Sequence, residues 1–172
     1  MRHLNVEIKA HCRDADAVRG ALRARGADFR GTDRQADTYF RAPAGRLKLR
    51  EGTIENHLIW YERGDEPGPK RADVLLADTP PDSGVKEVLA RALGVRAVVE
   101  KRREIYFLGN VKFHVDEVAG LGCFVEIEAQ TIEGGLSEAE LRAQCEQYLA
   151  LLGIRREDLI RESYGDMVLR GR

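Results

Sequence analysis

Apolar and polar positions alternate strictly in LNVEIKA, residues 4–10, where Leu4, Val6 and Ile8 fall on one side of an extended chain and Asn5, Glu7 and Lys9 on the other. Related patterns recur along the chain, and strands are predicted over 3–11, 36–42, 46–51, 57–64, 72–79, 98–108, 111–118 and 123–131. Glycine-bearing or short polar connections at 43–45, 109–110 and 120–122 read as hairpin turns, which makes the set an antiparallel meander. Gly64, Pro67, Gly68 and Pro69 mark a longer loop, and Pro80 and Pro81 close the fifth strand. Eight antiparallel strands can remove their exposed edges by closing into a barrel, which gives each strand an inner and an outer row.

A second period, near 3.6 residues, predicts helices between these strands. Residues 14–25 begin with a capping Asp14, carry Ala15, Val18 and Leu22 on one face and stop at Gly26. Residues 83–93 repeat the pattern with Val85, Val88, Leu89 and Leu93 before Gly94. In residues 137–152, Ser137 and Glu140 form a capping box ahead of a stripe made by Leu141, Cys145, Tyr148, Leu149 and Leu152. A short helix is predicted over 162–169. Such amphipathic helices need an apolar surface to cover, and the outer row of the barrel is the only large one the pattern offers. The barrel is therefore expected to be inside out: an α+β fold with a charged interior and helices packed outside.

The inward row is rich in charge. Lys48 and Arg50 share a face, as do Lys101 and Arg103, Glu126 and Glu128, and Arg63 with Tyr61; Lys112, His114 and Asp116 share another. On any one strand a solvated surface is the favoured reading; repetition of the pattern beside amphipathic helices favours the lumen. Buried charge is costly unless compensated. Six cations (Lys9, Lys48, Arg50, Arg63, Lys101, Arg103) exceed four carboxylates (Glu7, Asp116, Glu126, Glu128), and the excess predicts a polyanionic ligand. Grouped carboxylates suit Mg²⁺ or Mn²⁺, hard cations that bridge protein oxygens to phosphate.

Composition narrows the field. At 172 residues and 19.3 kDa, one domain spanning 1–172 is expected. The formal net charge of −1 gives no sign of nucleic acid or a membrane surface as partner. Cys12, Cys123 and Cys145 are odd in number with no pair close in sequence, which argues against a disulfide framework or thiolate zinc site and for a cytoplasmic location. No leader pattern and no membrane-length apolar run stands in the sequence.

The ordered series VEIK (6–9), QADTYF (35–40), LKLRE (47–51), LIWYER with the GPKR loop (58–71), VEKRREIYF (99–107) and HVDEVAGLGCFVEIE (114–128) resembles the CYTH proteins, or triphosphate tunnel metalloenzymes. These include class IV adenylyl cyclases, thiamine triphosphatases and inorganic triphosphatases. The resemblance implies an eight-stranded tunnel that binds a small-molecule triphosphate with Mg²⁺ or Mn²⁺, and it admits a homodimer. It carries triphosphate contacts onto Lys9, Lys48, Arg50, Arg63, Lys101 and Arg103, and metal ligation onto Glu7, Asp116, Glu126 and Glu128; in a hydrolase, Glu7 or Glu126 is the candidate catalytic carboxylate that positions the attacking water. One departure stands out: Asn5 replaces the first Glu of the Glu-x-Glu-x-Lys signature, removing a metal ligand while keeping a carbonyl oxygen.

Two reactions suit the same cage. Hydrolysis releasing orthophosphate is expected ahead of ATP cyclisation to cyclic AMP and pyrophosphate, with a noncatalytic polyphosphate or nucleotide sensor as a third reading. His114 is open between a tunnel residue, a general acid or base, and a packing role. Tyr39, Trp60 and Tyr61 could stack on an organic group or simply pack. Asp37 and Tyr39 are left off the site, Tyr164 is assigned no chemistry, and Arg96, Arg102 and Glu104 read as surface charges.

Overall fold

The computed structural model describes residues 2–131 and 135–171. In chain order these form β1 (Arg2–His11), α1 (Ala15–Ala24), β2 (Asp28–Phe40), β3 (Arg46–Gly52), β4 (His57–Arg63), β5 (Lys70–Asp78), α2 (Val85–Leu93), β6 (Val95–Leu108), β7 (Val111–Val118), β8 (Gly122–Gln130), α3 (Glu138–Leu151) and α4 (Tyr164–Arg170), with a 3₁₀ turn at Arg156–Asp158. The strands close into one antiparallel barrel in the order β1-β5-β4-β3-β2-β6-β7-β8. Two meanders, β2 to β5 and β6 to β8, are joined by β2 against β6, and β1 closes the barrel between β5 and β8. The eight-stranded closed barrel with helices outside is thus the fold that the alternation predicts.

Outer rows and helices share the main apolar core. Val6, Ile8 and Ala10 of β1, with Phe113 and Val115 of β7 and Val125 and Ile127 of β8, pack against Val18 and Leu22 of α1 and Leu141, Cys145 and Leu149 of α3. Caps fix where those helices begin. The Asp14 side chain accepts from Ala17 N at 2.9 Å, and Ser137 and Glu140 complete the capping box. Helix α2 departs from the expectation, because it buries none of its residues and leaves Val88 65% exposed. It lies beside β2 without forming core.

Elsewhere the inner row is apolar. Tyr39, Val99, Val118 and Phe124 face inward, as their register beside Lys48, Asp37, Lys101 and Asp116 requires, and α4 packs on them through Tyr164 and Met167. That end of the barrel is plugged. The plug is held by strand-like pairing, with Ile160 N donating to Lys9 O at 2.8 Å. Lys70 adds to it: its buried Nζ donates to the carbonyls of Glu66, Ile160 and Arg161 at 3.1–3.2 Å. Burial brings the ammonium of Lys70 down to a pKa of about 8.

Strand β2 begins at Asp28, eight residues before the predicted start at 36. The stretch DFRGTDRQ has no apolar alternation to read, since its inward residues Asp33 and Gln35 are themselves polar and a register shift falls between Phe29 and Gly31. Glu104, expected at the surface, is 5% exposed and paired to Arg19 and the Tyr106 hydroxyl.

Candidate active site in the barrel lumen

The lumen is built from the polar rows. Its cavity is lined by seven cations (Lys9, Lys48, Arg50, Arg63, Lys101, Arg103 and Lys112) and four carboxylates (Glu7, Glu55, Glu126 and Glu128). Two further carboxylates, Asp37 and Asp116, are fully buried and paired with lining cations. The cationic excess that the alternation suggests therefore survives in a smaller form. All six basic residues expected to meet a triphosphate come together around this one space, as do Glu7, Glu126 and Glu128.

Asp37 is the hub of one wall. Its Oδ2 lies 3.0 Å from Lys48 Nζ and 2.6 Å from Lys101 Nζ, while Arg50 grips both oxygens at 2.9 and 3.1 Å. Burial pushes the carboxyl of Asp37 up, but Arg50, Lys101 and Lys48 outweigh it and hold the group well below the usual carboxylate range. Lys101 is displaced the other way: burial, helped by Arg103, Arg50 and Lys48, holds it well below the ordinary ammonium value despite Asp37. An anion arriving there would raise it again.

A turn between β3 and β4 supplies Glu55, which the strand pattern does not reveal. Asp33 accepts from the backbone of Ile54 at 2.9 Å and of Glu55 at 3.0 Å, and from Thr53 Oγ1 at 2.9 Å, so the turn is fixed in place. Gly52 permits this approach, because a Cβ there would stand 2.6 Å from Glu55 O and 2.7 Å from Asp33 Oδ2. The held Glu55 meets Arg50 at 2.9 Å and Lys112 at 2.5 Å.

Opposite lies the acidic wall of β1, β7 and β8. Glu126 sits 3.1 Å from Lys9 and 2.6 Å from Arg103; burial would raise its carboxyl, yet Arg103, Lys9 and His114 hold it well below normal. His114 Nδ1 lies 3.3 Å from Glu126 Oε2 and 3.5 Å from Glu128 Oε1. Arg63 pairs with Oε1 of Glu7, whose side chain stays 22% exposed. Asn5 is buried, and its Oδ1 faces no hydrogen-bond partner.

Asp116, expected among metal ligands, holds a different position. Arg103 takes its two oxygens at 2.7 and 2.5 Å, the Tyr164 hydroxyl donates to Oδ2 at 2.9 Å, and the residue does not line the cavity. It acts as the buried counter-ion that anchors Arg103 and the α4 plug. Tyr164 is accordingly part of the site: its ring lies 3.7 Å beneath Lys9 Nζ. Of the three aromatics considered for stacking, Tyr39 and Tyr61 line the cavity, whereas Trp60 lies on the other row of β4, its Nε1 donating to Ala44 O at 3.0 Å. One wall is greasy, formed by Ile59, Tyr61 and Val74.

A closed antiparallel barrel of eight strands with an ionic lumen and helices outside defines the class of protein. The chain belongs to the CYTH domain family, which it matches over residues 3–164. Members of that family are adenylyl cyclases or triphosphatases, and they bind triphosphates. The chain is 31% identical to adenylate cyclase CyaB of Aeromonas hydrophila, covering 92% of this chain and 85% of that protein. It is 28% identical to MJ0240 of Methanocaldococcus jannaschii over 98% of this chain and 99% of the relative. In three dimensions it resembles protein PH1012 of Pyrococcus horikoshii OT3, with a TM-score of 0.81 at 26% identity, over 94% of this chain and 98% of the other. Among the described residues, no helix is long and apolar enough to cross a membrane.

Proposed function

We propose that this chain is a divalent-metal-dependent phosphohydrolase that binds a triphosphate in the lumen and releases orthophosphate. The observation that carries the reading is the convergence of Lys48, Arg50, Arg63, Lys101, Arg103 and Lys9 on one cavity that also holds Glu7, Glu126 and Glu128. Phosphoryl transfer asks mainly for positioning and charge neutralisation, and this set of groups supplies both.

The donor set fits a divalent ion. His114 Nδ1 and one oxygen each of Glu126 and Glu128 lie within 4.8 Å of one another. Glu126 and Glu128 would hold the ion, and when bound it would neutralise charge on phosphate oxygens. Lys48, Arg50 and Lys101, pre-set by Asp37, bind and orient the polyphosphate. Arg103 and Lys9 meet it from beside Glu126. Only Oε1 of Glu7 is taken by Arg63, so Glu7 is suited to position a water molecule. That water attacks the terminal phosphorus as the bridging P–O bond breaks, giving orthophosphate and a diphosphate.

ATP cyclisation is the second reading, supported by the likeness to a relative named adenylate cyclase and by the apolar wall of Ile59 and Val74. There the ribose 3′ oxygen attacks the α phosphorus and pyrophosphate leaves. Purified protein would be incubated with Mg²⁺ or Mn²⁺ and, separately, tripolyphosphate, thiamine triphosphate and ATP. Orthophosphate release supports hydrolysis. Pyrophosphate with cyclic AMP replaces it by cyclisation, and binding without turnover replaces both by a sensor.

A further inference from the structure

We infer that His114 is itself a metal ligand, so that the ion site is His114–Glu126–Glu128, a nitrogen-containing set that favours Mn²⁺ over Mg²⁺. The inference rests on the reading of the lumen as a metal-dependent site, and goes beyond it in naming a ligand and an ion preference.

Sequence position alone leaves His114 open, but its surroundings do not. The residue is 1% exposed on the inner row of β7, directly opposite Glu126 in the register with β8. Its Nδ1 stands between two carboxylates from alternate positions of that strand, at 3.3 and 3.5 Å. Those separations are long for N–H···O hydrogen bonds, which run to about 3.2 Å. They approach the roughly 3.0–3.4 Å expected between adjacent ligands of an ion with bonds of about 2.1 Å. The other ring nitrogen, Nε2, is buried with no partner. A histidine kept for packing would leave both nitrogens poorly satisfied, at a cost that one strong bond from Nδ1 to a metal ion would offset.

Arg103 competes for Glu126 Oε2 at 2.6 Å, yet it remains anchored by two bonds to Asp116 and can yield that oxygen. Three protein donors leave coordination positions open for phosphate oxygens. Imidazole suits first-row transition ions, whereas Mg²⁺ prefers an all-oxygen shell; nitrogen in the set therefore shifts the preference.

The test reads the ion and needs no turnover. Mn²⁺ would be titrated into the whole chain, with and without tripolyphosphate, and bound ion followed by electron paramagnetic resonance with electron spin-echo detection of ¹⁴N coupling. Expected are bound Mn²⁺ with imidazole nitrogen coupling, and, in a His114→Gln variant shown by thermal melting to be folded, loss of that coupling with Mn²⁺ affinity reduced roughly tenfold or more relative to Mg²⁺. Mn²⁺ bound to the wild-type chain without nitrogen coupling would overturn the assignment of His114 and leave the metal-dependent reading standing. Failure to bind Mn²⁺ even with tripolyphosphate would overturn both. The wild-type measurement decides the point even where the variant does not fold.

Discussion

Lys101 Nζ lies 2.6 Å from Asp37 Oδ2, and both side chains are wholly buried. The same carboxylate also holds Lys48 and Arg50, so one anion from β2 organises three cations from two neighbouring strands. A polyphosphate would meet a wall already in position.

Removing that anion leaves three crowded cations without their partner. Asp37→Asn is expected to cost about 3–5 kcal/mol of stability, as breaking buried ion pairs does. Urea denaturation measures it, and a change below about 1 kcal/mol contradicts the hub. Tripolyphosphate should raise the melting temperature of the variant more than that of the wild type, because the ligand supplies the missing negative charge. The carboxyl of Asp37 is depressed in the folded state, so its contribution is complete above the unfolded carboxylate range and is lost as pH falls toward the folded value.

Binding should draw a proton onto Lys101. Asp37 favours its charged form, while burial and Arg50, Arg103 and Lys48 disfavour it and prevail, lowering the pKa. A bound phosphate raises it again. Tripolyphosphate affinity measured without metal is therefore expected to fall as pH rises through the window below the ordinary lysine value. Calorimetry in buffers of different ionisation enthalpy should show net proton uptake; zero uptake across that window contradicts the prediction.

Lys48 separates binding from folding. Asp37 keeps Arg50 and Lys101 after its loss, so Lys48→Met should leave the melting temperature within a few degrees of wild type. One charge-assisted contact to phosphate is worth about 1.5–3 kcal/mol, and tripolyphosphate affinity should fall at least tenfold. Unchanged affinity by calorimetry would remove Lys48 from the ligand wall.

Glu126→Gln keeps the shape and removes the charge at the junction of Lys9, Arg103 and His114. Turnover of the best triphosphate is expected to drop by about 10²–10³, the scale for loss of one electrostatic contributor at a reacting centre. Metal-free tripolyphosphate binding should persist or tighten. Wild-type kcat in a steady-state assay would exclude Glu126 from the reaction.

Tyr164 should matter through two separable contacts. Tyr164→Phe loses the hydroxyl bond to Asp116, which keeps Arg103, and should cost about 1 kcal/mol. Tyr164→Ala also empties the space among Tyr39, Phe124 and Met167 and should cost about 3–5 kcal/mol. Equal melting temperatures for the two variants would show that α4 does not plug the barrel.

Local sequence carried the strand pattern because side chains on a strand alternate sides whatever the strand pairs with. Lys48 and Arg50, or Glu126 and Glu128, could thus be assigned to one face from spacing alone. Caps did the same for α1 and α3, since Asp14 and Ser137 bond within their own first turns. Spacing could not assign Glu55, which lies in a turn and reaches the lumen only because Asp33, twenty-two residues earlier in sequence, grips its backbone. It also could not tell Asp37 from an outward polar residue, or Asp116 as counter-ion from Asp116 as ligand, since each depends on which cation the closed barrel brings alongside.

The sequence by itself determined eight strands, the sidedness of their charge and α1 and α3 as helices that cover the greasy rows, because these follow from periodicity and short-range hydrogen bonding. Only the tertiary structure decided which acid holds which base, and that α4 plugs one mouth while His114 stands between two glutamates. Such pairings join residues on different strands, 12 positions apart for His114 and Glu126 and 64 for Lys101 and Asp37, and their energies depend on distances and burial that exist only after the barrel closes.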